Sequence, residues 1–263
     1  LTVARPRKGL TRNFSPSASA RGNRGIVARM LVLAHRGANR LAPENTVAAM
    51  ARALELGADG VELDVHRTAD HQLVVRHDAG GPAGVLSDLS LAQVRSALPE
   101  VPTLPEVLDV CRGSLVNIEV KNLPIDPDWD PDDRAAELLA ALLEHRGGAD
   151  DVIISSRNLA TIDRMRALAP DLPTALVTRE LDPLEGLEAA AAHGHDALHP
   201  VIWALEDPVL GVLTQRAREW GLRVTVWTVN DLEKMRRLEA AGVDAVITDD
   251  SDLYRPDLRG RQA

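Results

Sequence analysis

From Leu31 onward, short runs rich in β-branched residues alternate with longer stretches whose apolar positions recur at helical spacing. The runs are LVLAH (31–35), VELDV (61–65), VNIEV (116–120), VIIS (152–155), TALV (174–177), ALHP (197–200), VTVWT (224–228) and AVIT (245–248). Eight strands with helices between them predict repeated βα units around a parallel sheet. Val47, Met50, Ala51 and Leu54 share one helical face, and Gly57 supplies a stop. Asp130-Pro131 and Asp207-Pro208 each place a capping carboxylate before a proline, predicting helix starts at both. One segment breaks the alternation: LVVRHD (73–78) follows VELDV after a short TADHQ turn, too little chain for a parallel crossover. It is expected as an antiparallel hairpin arm near the mouth of the sheet. The fold class expected is α/β, a single (β/α)8 barrel of the TIM type over residues 31–263, since such barrels take ~250 residues. An open doubly wound sheet is the alternative, weakened because no GxGxxG fingerprint follows the first strand.

Charge divides the chain unevenly. Residues 1–30 hold seven basic side chains, Arg5 to Arg29, and no acid, whereas the remainder holds 23 basic against 39 acidic residues. The tail lacks the apolar stretch of ~7–15 residues that a secretory signal needs, so it is expected to be disordered. The acidic body argues against a nucleic-acid partner. No apolar run approaches the ~20 residues that span a bilayer, so a soluble, cytoplasmic protein without an integral membrane segment is expected. The pattern sets no oligomeric state. The lone cysteine, Cys111, follows Leu104, Val107 and Leu108 at helical spacing and is expected in the core.

Strand side chains alternate faces, so Glu62, Asp64 and His66 project to one side of their strand, and Asn117, Glu119 and Lys121 to one side of the next. Charges gathered at the end of a buried strand need a counter-ion or a function. A salt-bridge cluster around Lys121 is the structural alternative. Three carboxylates against one lysine leave surplus negative charge, which suits one hard divalent cation, Mg2+ or Ca2+, better than zinc. His35 closes the first strand and His77 the hairpin arm, so both are placed to overhang this cluster for acid-base work. His66 and His199 are given secondary roles at the mouth, and His71, His145, His193 and His195 are expected to be solvated.

The stretch AHRGANRLAPENTVAAMARALELGADGVELDVHRTADHQLVVRHD (34–78) resembles the glycerophosphodiester phosphodiesterase family, whose hallmarks are HRG, PENT, ExD and HD. The resemblance continues through PTLPEVL (102–108), IEVK (118–121), WTVN (227–230) and GVDAVITD (242–249). It implies that Glu62, Asp64 and Glu119 bind the metal, that His35 and His77 form the acid-base pair, and that Arg36 and Lys121 contact phosphate. Glu44 of PENT then supports the cluster by holding Arg36, Asn45 supports it or caps the first helix, and Trp227 walls the pocket. The implied reaction converts a small glycerophosphodiester into sn-glycerol 3-phosphate and an alcohol, with the substrate's own 2-hydroxyl as the implied nucleophile. A lysophospholipid-cleaving enzyme of the same superfamily and a noncatalytic binding protein are the alternatives.

Three departures from the family pattern stand out. AGGPAGVLSDLS after Asp78 is short for a lid, Arg157 replaces an aromatic residue, and Ser251 replaces a proline. Among 27 arginines only three lysines occur, Lys8, Lys121 and Lys234, which marks Lys121.

Overall fold

The computed structural model describes residues 29–81 and 83–251. The basic tail through residue 28, with its expected disorder, lies outside the described residues. Arg29 and Met30, assigned by composition to that tail, belong instead to the body: Met30 is buried and Arg29 pairs with Asp59.

In chain order the elements are β1 Leu31–His35, α1 Val47–Glu55, β2 Gly60–Arg67, β3 Leu73–Val75, β4 Gly80–Gly81, β5 Gly84–Val85, α2 Leu91–Ala97, α3 Leu104–Val110 and β6 Leu115–Val120. Then follow α4 Arg134–His145, β7 Asp151–Ser156, α5 Leu159–Leu168, β8 Thr174–Thr178, α6 Pro183–His193, β9 Ala197–Pro200, α7 Val209–Trp220, β10 Arg223–Val226, α8 Leu232–Ala241 and β11 Ala245–Thr248. β1 pairs in parallel with β2 on one side and with β11 on the other, so eight parallel strands close on themselves. This is the (β/α)8 barrel. β3 lies antiparallel on the end of β2, with His66 opposite Val74, and is shorter than the expected arm: Arg76, His77 and Asp78 follow it as loop. β10 likewise ends at Val226, which releases Trp227 from the strand.

Two layers of packing follow from strand alternation. Outward-facing Val61, Leu63, Ile118 and Val120 pack with Met50, Leu108 and Leu139 of the helices, and Val224, Val226 and Val246 with Leu187, Leu213 and Met235. Burying each such side chain contributes ~1.5–3 kcal/mol. Inward-facing Leu33, Leu115, Ile153, Ala175, Ala197 and Ile247 plug the lumen. Gly60 has to be glycine there, because a Cβ would lie 2.2 Å from the Leu115 carbonyl oxygen. The apolar plug leaves the inward positions nearer the strand C-termini for polar residues.

Helix starts correct two expectations. α4 begins at Arg134 after Asp133, while the Asp130 carboxylate accepts from Arg67 Nε and from the amides of Asp132 and Arg134. α7 begins at Val209 with no side-chain cap, and Asp207 pairs with Arg237 at 3.0 Å. The Asp-Pro cap operates elsewhere: Asp182, before Pro183, accepts from Leu184 N and Glu185 N at the start of α6. α1 starts on Thr46, whose Oγ1 accepts from Ala49 N. Cys111 closes α3, buried as expected, and burial pushes its thiol up to about 12, which keeps it unreactive. Among the described residues no helix is long and apolar enough to cross a membrane.

Candidate active site

The inward side chains at the C-terminal ends of β1, β2, β6 and β11 meet at one mouth. Glu62 and Asp64 come from β2 and Glu119 from β6, where register sets Asp64 beside Glu119. The three carboxylates each offer an oxygen within 4.8 Å of the others. Lys121, one residue past β6, donates to Glu119 Oε1 at 2.8 Å and lies 2.9 Å from Asp64 Oδ1. Arg36, in the left-handed region at φ 56, gives its amide to Glu62 Oε2 at 3.1 Å. Its guanidinium reaches Glu44 at 3.0 and 3.1 Å and lies 3.3 Å from Asp64.

Electrostatics separate two carboxyls that share one strand. Burial first, and Asp64 second, push Glu62 up to about 8. Burial also pushes Asp64 up, but Lys121 and Arg36 outweigh it and hold that carboxyl at about 2. Asn45 completes the shell of Asp64, donating from Nδ2 to Oδ2 at 2.9 Å and accepting the Asp64 amide at 3.3 Å. Asn45 therefore serves the acid cluster, and the helix cap falls to its neighbour Thr46.

Each mouth histidine has one ring nitrogen held by a carboxylate. His35 Nδ1 is 2.7 Å from Asp249 Oδ1, and its Nε2 lies 4.0 Å from Glu62 Oε2. Burial lowers the His35 pKa, but Asp249 and Glu62 reverse this and leave it raised. Asp249 is gripped in turn by Asn39 Nδ2 at 2.5 Å and Asn230 Nδ2 at 2.6 Å, and its carboxyl is held well below the usual range. His77 Nδ1 is 2.7 Å from Asp78 Oδ1, and its carbonyl meets His66 Nε2 at 3.1 Å. His66 is buried, with Nδ1 2.6 Å from Asp128, so it supports the His77 loop from below.

Trp227 stands at the end of β10, its Nε1 donating to the His199 carbonyl at 2.8 Å. His199 is wholly buried in the lumen, neutral because burial lowers its pKa to about 3. A cleft of about 210 Å³ opens beside the cluster, lined by His77, Asp78, Glu119, Lys121, Asp126 and Arg157. Arg157 turns to Glu180 at 2.7 Å, and the short segment after Asp78 folds as the β4–β5 ribbon. His195 corrects an expectation: it is buried, not solvated. His71, His145 and His193 are exposed.

Asp249, Asn39, Asn230 and Asp128 are members of this constellation to which the sequence assigned no role. Their partners lie 19 to 214 residues away. Asn230 and Asp249 had one signal, as the last residues of the WTVN and GVDAVITD stretches.

A closed β/α barrel thus brings convergent carboxylates, two carboxylate-held histidines and two cations to one mouth, the make-up of a barrel enzyme suited to phosphoryl chemistry. Residues 35–253 match the model of the glycerophosphoryl diester phosphodiesterase family, and the chain belongs to that family. A glycerophosphodiester phosphodiesterase of Caldanaerobacter subterraneus subsp. tengcongensis is 33% identical over 85% of this chain and 96% of its own. The Thermotoga maritima glycerophosphodiester phosphodiesterase structure superposes with a TM-score of 0.73 at 28% identity, covering 85% of this chain and 96% of that one. An Oleispira antarctica phosphodiesterase, solved with its product sn-glycerol-3-phosphate, shares the fold at a TM-score of 0.72 and 23% identity, covering 85% and 94%.

Proposed function

We propose that this chain hydrolyses small glycerophosphodiesters to sn-glycerol 3-phosphate and an alcohol, with one divalent cation and a two-histidine acid-base mechanism. The observation that carries the proposal is the meeting of Glu62, Asp64 and Glu119 with His35 and His77 at one barrel end. The donor set fits a hard cation: three carboxylate oxygens converge within 4.8 Å of one another, and the three carboxylates outnumber the two cations, Lys121 and Arg36, that lie beside them. Glu62, Asp64 and Glu119 would hold Mg2+ or Ca2+, which when bound supplies Lewis-acid stabilisation of phosphoryl oxygen charge.

The remaining chemistry belongs to the chain. Asp249 and Asp78 occupy the Nδ1 atoms of His35 and His77, so Nε2 is the atom that exchanges protons in each. One histidine accepts the proton of the attacking hydroxyl, the substrate's own glycerol 2-hydroxyl in the family pattern. The other delivers a proton to the leaving alkoxide. Water then opens the resulting cyclic phosphate as the two roles reverse. Arg36 and Lys121 add positive charge beside the phosphoryl oxygens, and Glu44 fixes the Arg36 fork. Trp227 forms one wall.

A second substrate class, the lysophospholipids, is favoured by a separate observation. Leu41, Ile125, Trp129, Leu181 and Trp203 are exposed large apolar side chains, all on segments that follow barrel strands, Trp203 in a short 3-10 turn, and so ring the mouth. Such a rim suits an acyl chain. Phosphorus NMR of the purified protein with glycerophosphocholine, glycerophosphoethanolamine and lysophosphatidylcholine, with EDTA, Mg2+ or Ca2+, tests both. Cation-dependent release of sn-glycerol 3-phosphate from the first two is expected. Turnover undiminished in EDTA refutes the metal role, and turnover of none of the diesters refutes the proposal.

A further inference from the structure

At the opposite end of the barrel from the mouth, α6 finishes in HGH (193–195). Gly194 is left-handed at φ 74, its amide donates to the Ala191 carbonyl, and the His195 amide donates to Ala190. That is a Schellman ending, and it places two histidines on either side of one tight turn. Their rings stack at 6.2 Å between centroids with an interplanar angle of 11°. Asp163 of α5 faces both, with Oδ2 2.8 Å from His193 Nδ1 and Oδ1 3.1 Å from His195 Nε2. Each of the three residues offers a donor atom within 4.8 Å of the others.

A three-member hydrogen-bonded cluster accounts for part of this arrangement but not for His195. Its side chain is fully buried, and Nε2 makes no hydrogen bond in spite of its nearness to Asp163, because it lies off the required line. Nδ1 of the same ring is 2.9 Å from Thr174 Oγ1 at the start of β8. A ring that gives one nitrogen to a fixed oxygen and turns the other to a carboxylate and a second imidazole has the arrangement of a metal-ligating histidine with its outer partner in place. Burial lowers the His195 pKa, which favours the neutral, ligating form. The Arg166 guanidinium lies beside the Gly194 turn, 3.5 Å from Asp196 Oδ2, and its charge adds to burial in lowering the His195 pKa.

We infer that Asp163, His193 and His195 form a second metal site, remote from the catalytic mouth, for a borderline divalent ion such as Zn2+. Two imidazoles and one carboxylate are a zinc donor set, and they differ from the all-oxygen set at the mouth. Zinc ligands at ~2.0–2.2 Å from the ion stand about 3–4 Å apart, so donors now within 4.8 Å need only small side-chain rotations. Asp163 and His193 are partly exposed, which leaves an entry path and room for a water as fourth ligand. The site ties α5 to the α6–β9 turn, so its expected effect is on stability rather than on turnover.

The test uses the full chain, freed of metal by chelation and then kept in excess Mg2+ to occupy the mouth. Zn2+ is titrated by calorimetry and Co2+ by its visible absorption. One ion per chain is expected, with a nitrogen-ligand Co2+ spectrum and a higher melting temperature when Zn2+ is added. His193→Ala and Asp163→Asn should each weaken Zn2+ binding at least tenfold, and Thr174→Val by roughly tenfold through loss of the outer partner. Circular dichroism checks the fold of each variant; should His193→Ala not fold, Asp163→Asn, which keeps shape, decides. Glu119→Gln at the mouth should leave Zn2+ binding unchanged. Absence of Zn2+ binding in the Mg2+-saturated chain overturns the assignment. So does binding that survives both His193→Ala and Asp163→Asn, or that is lost in Glu119→Gln.

Discussion

Replacing Lys121 with methionine removes one charge from between Asp64 and Glu119 while keeping most of the side chain's volume. Asp64 is fully buried, and Lys121 leads Arg36 among the groups that bring its carboxyl from an ordinary 3.8 to about 2. At ~1.4 kcal/mol per pKa unit, that depression contributes about 2 kcal/mol to folding at neutral pH. Because the folded pKa lies below the unfolded one, the contribution is complete above about pH 4 and is lost as pH falls through about 2. Lys121→Met should remove the larger share, ~1–2 kcal/mol, and lower Tm by roughly 2–8 °C in a chain of this size. Thermal denaturation in EDTA at pH 7 reads the deficit, and urea midpoints at pH 3 should show it about halved. Millimolar Mg2+ should narrow it further at pH 7, because the ion replaces the missing positive charge. A variant as stable as wild type in EDTA, or a deficit equally large at pH 3, refutes this account of the cluster.

Three further outcomes are expected. Asp249→Asn, which loses a charge-assisted bond worth ~1.5–3 kcal/mol, should cut kcat/KM roughly 10- to 100-fold and move the His35 limb of the pH–rate profile to lower pH; an unmoved limb would deny Asp249 its positioning role. Glu62, pushed up to about 8, must lose its proton to bind a cation, so Mg2+ affinity should fall about tenfold per pH unit below ~8; calorimetry in buffers of different ionisation heat checks this, and affinity constant from pH 6 to 8 contradicts it. Gly60→Ala forces a Cβ to within 2.2 Å of backbone oxygen in the lumen and should cost ~1–3 kcal/mol or more of stability, readable as a lower urea midpoint; an unchanged midpoint would mean the lumen yields.

The eight strands were legible because each buries both faces and so appears as a short, largely apolar run, β-branched in most though not in ALHP (197–200). The acid cluster was legible for a related reason: Glu62, Asp64 and Glu119 interrupt those runs at period two, which nothing but an inward polar site explains. Asp-Pro pairs misled at Asp130 and Asp207 because a capping carboxylate is also a good partner for Arg67 or Arg237, and the sequence does not say which donor wins. His195 looked solvated because a turn is ordinarily exposed; the Thr174 hydroxyl and the packing of α6 draw it in. Asn45 stood open as cluster support or helix cap until Asp64, 19 residues on, claimed its amide and left the cap to Thr46.

His35 stands on β1 and its partner Asp249 just beyond β11, 214 residues later, and the two strands meet only where the barrel closes. If His35 moves protons as proposed, its orientation is thereby made conditional on finished topology. A half-made barrel, an open sheet or a nascent chain still lacking β11 and Asp249 holds most of the acid cluster yet has no carboxylate to orient its first histidine. In such species the mouth could collect a cation and a phosphate but would handle protons poorly. On the proposed mechanism, closure of β1 on β11 thus acts as a check on the proton-transfer machinery.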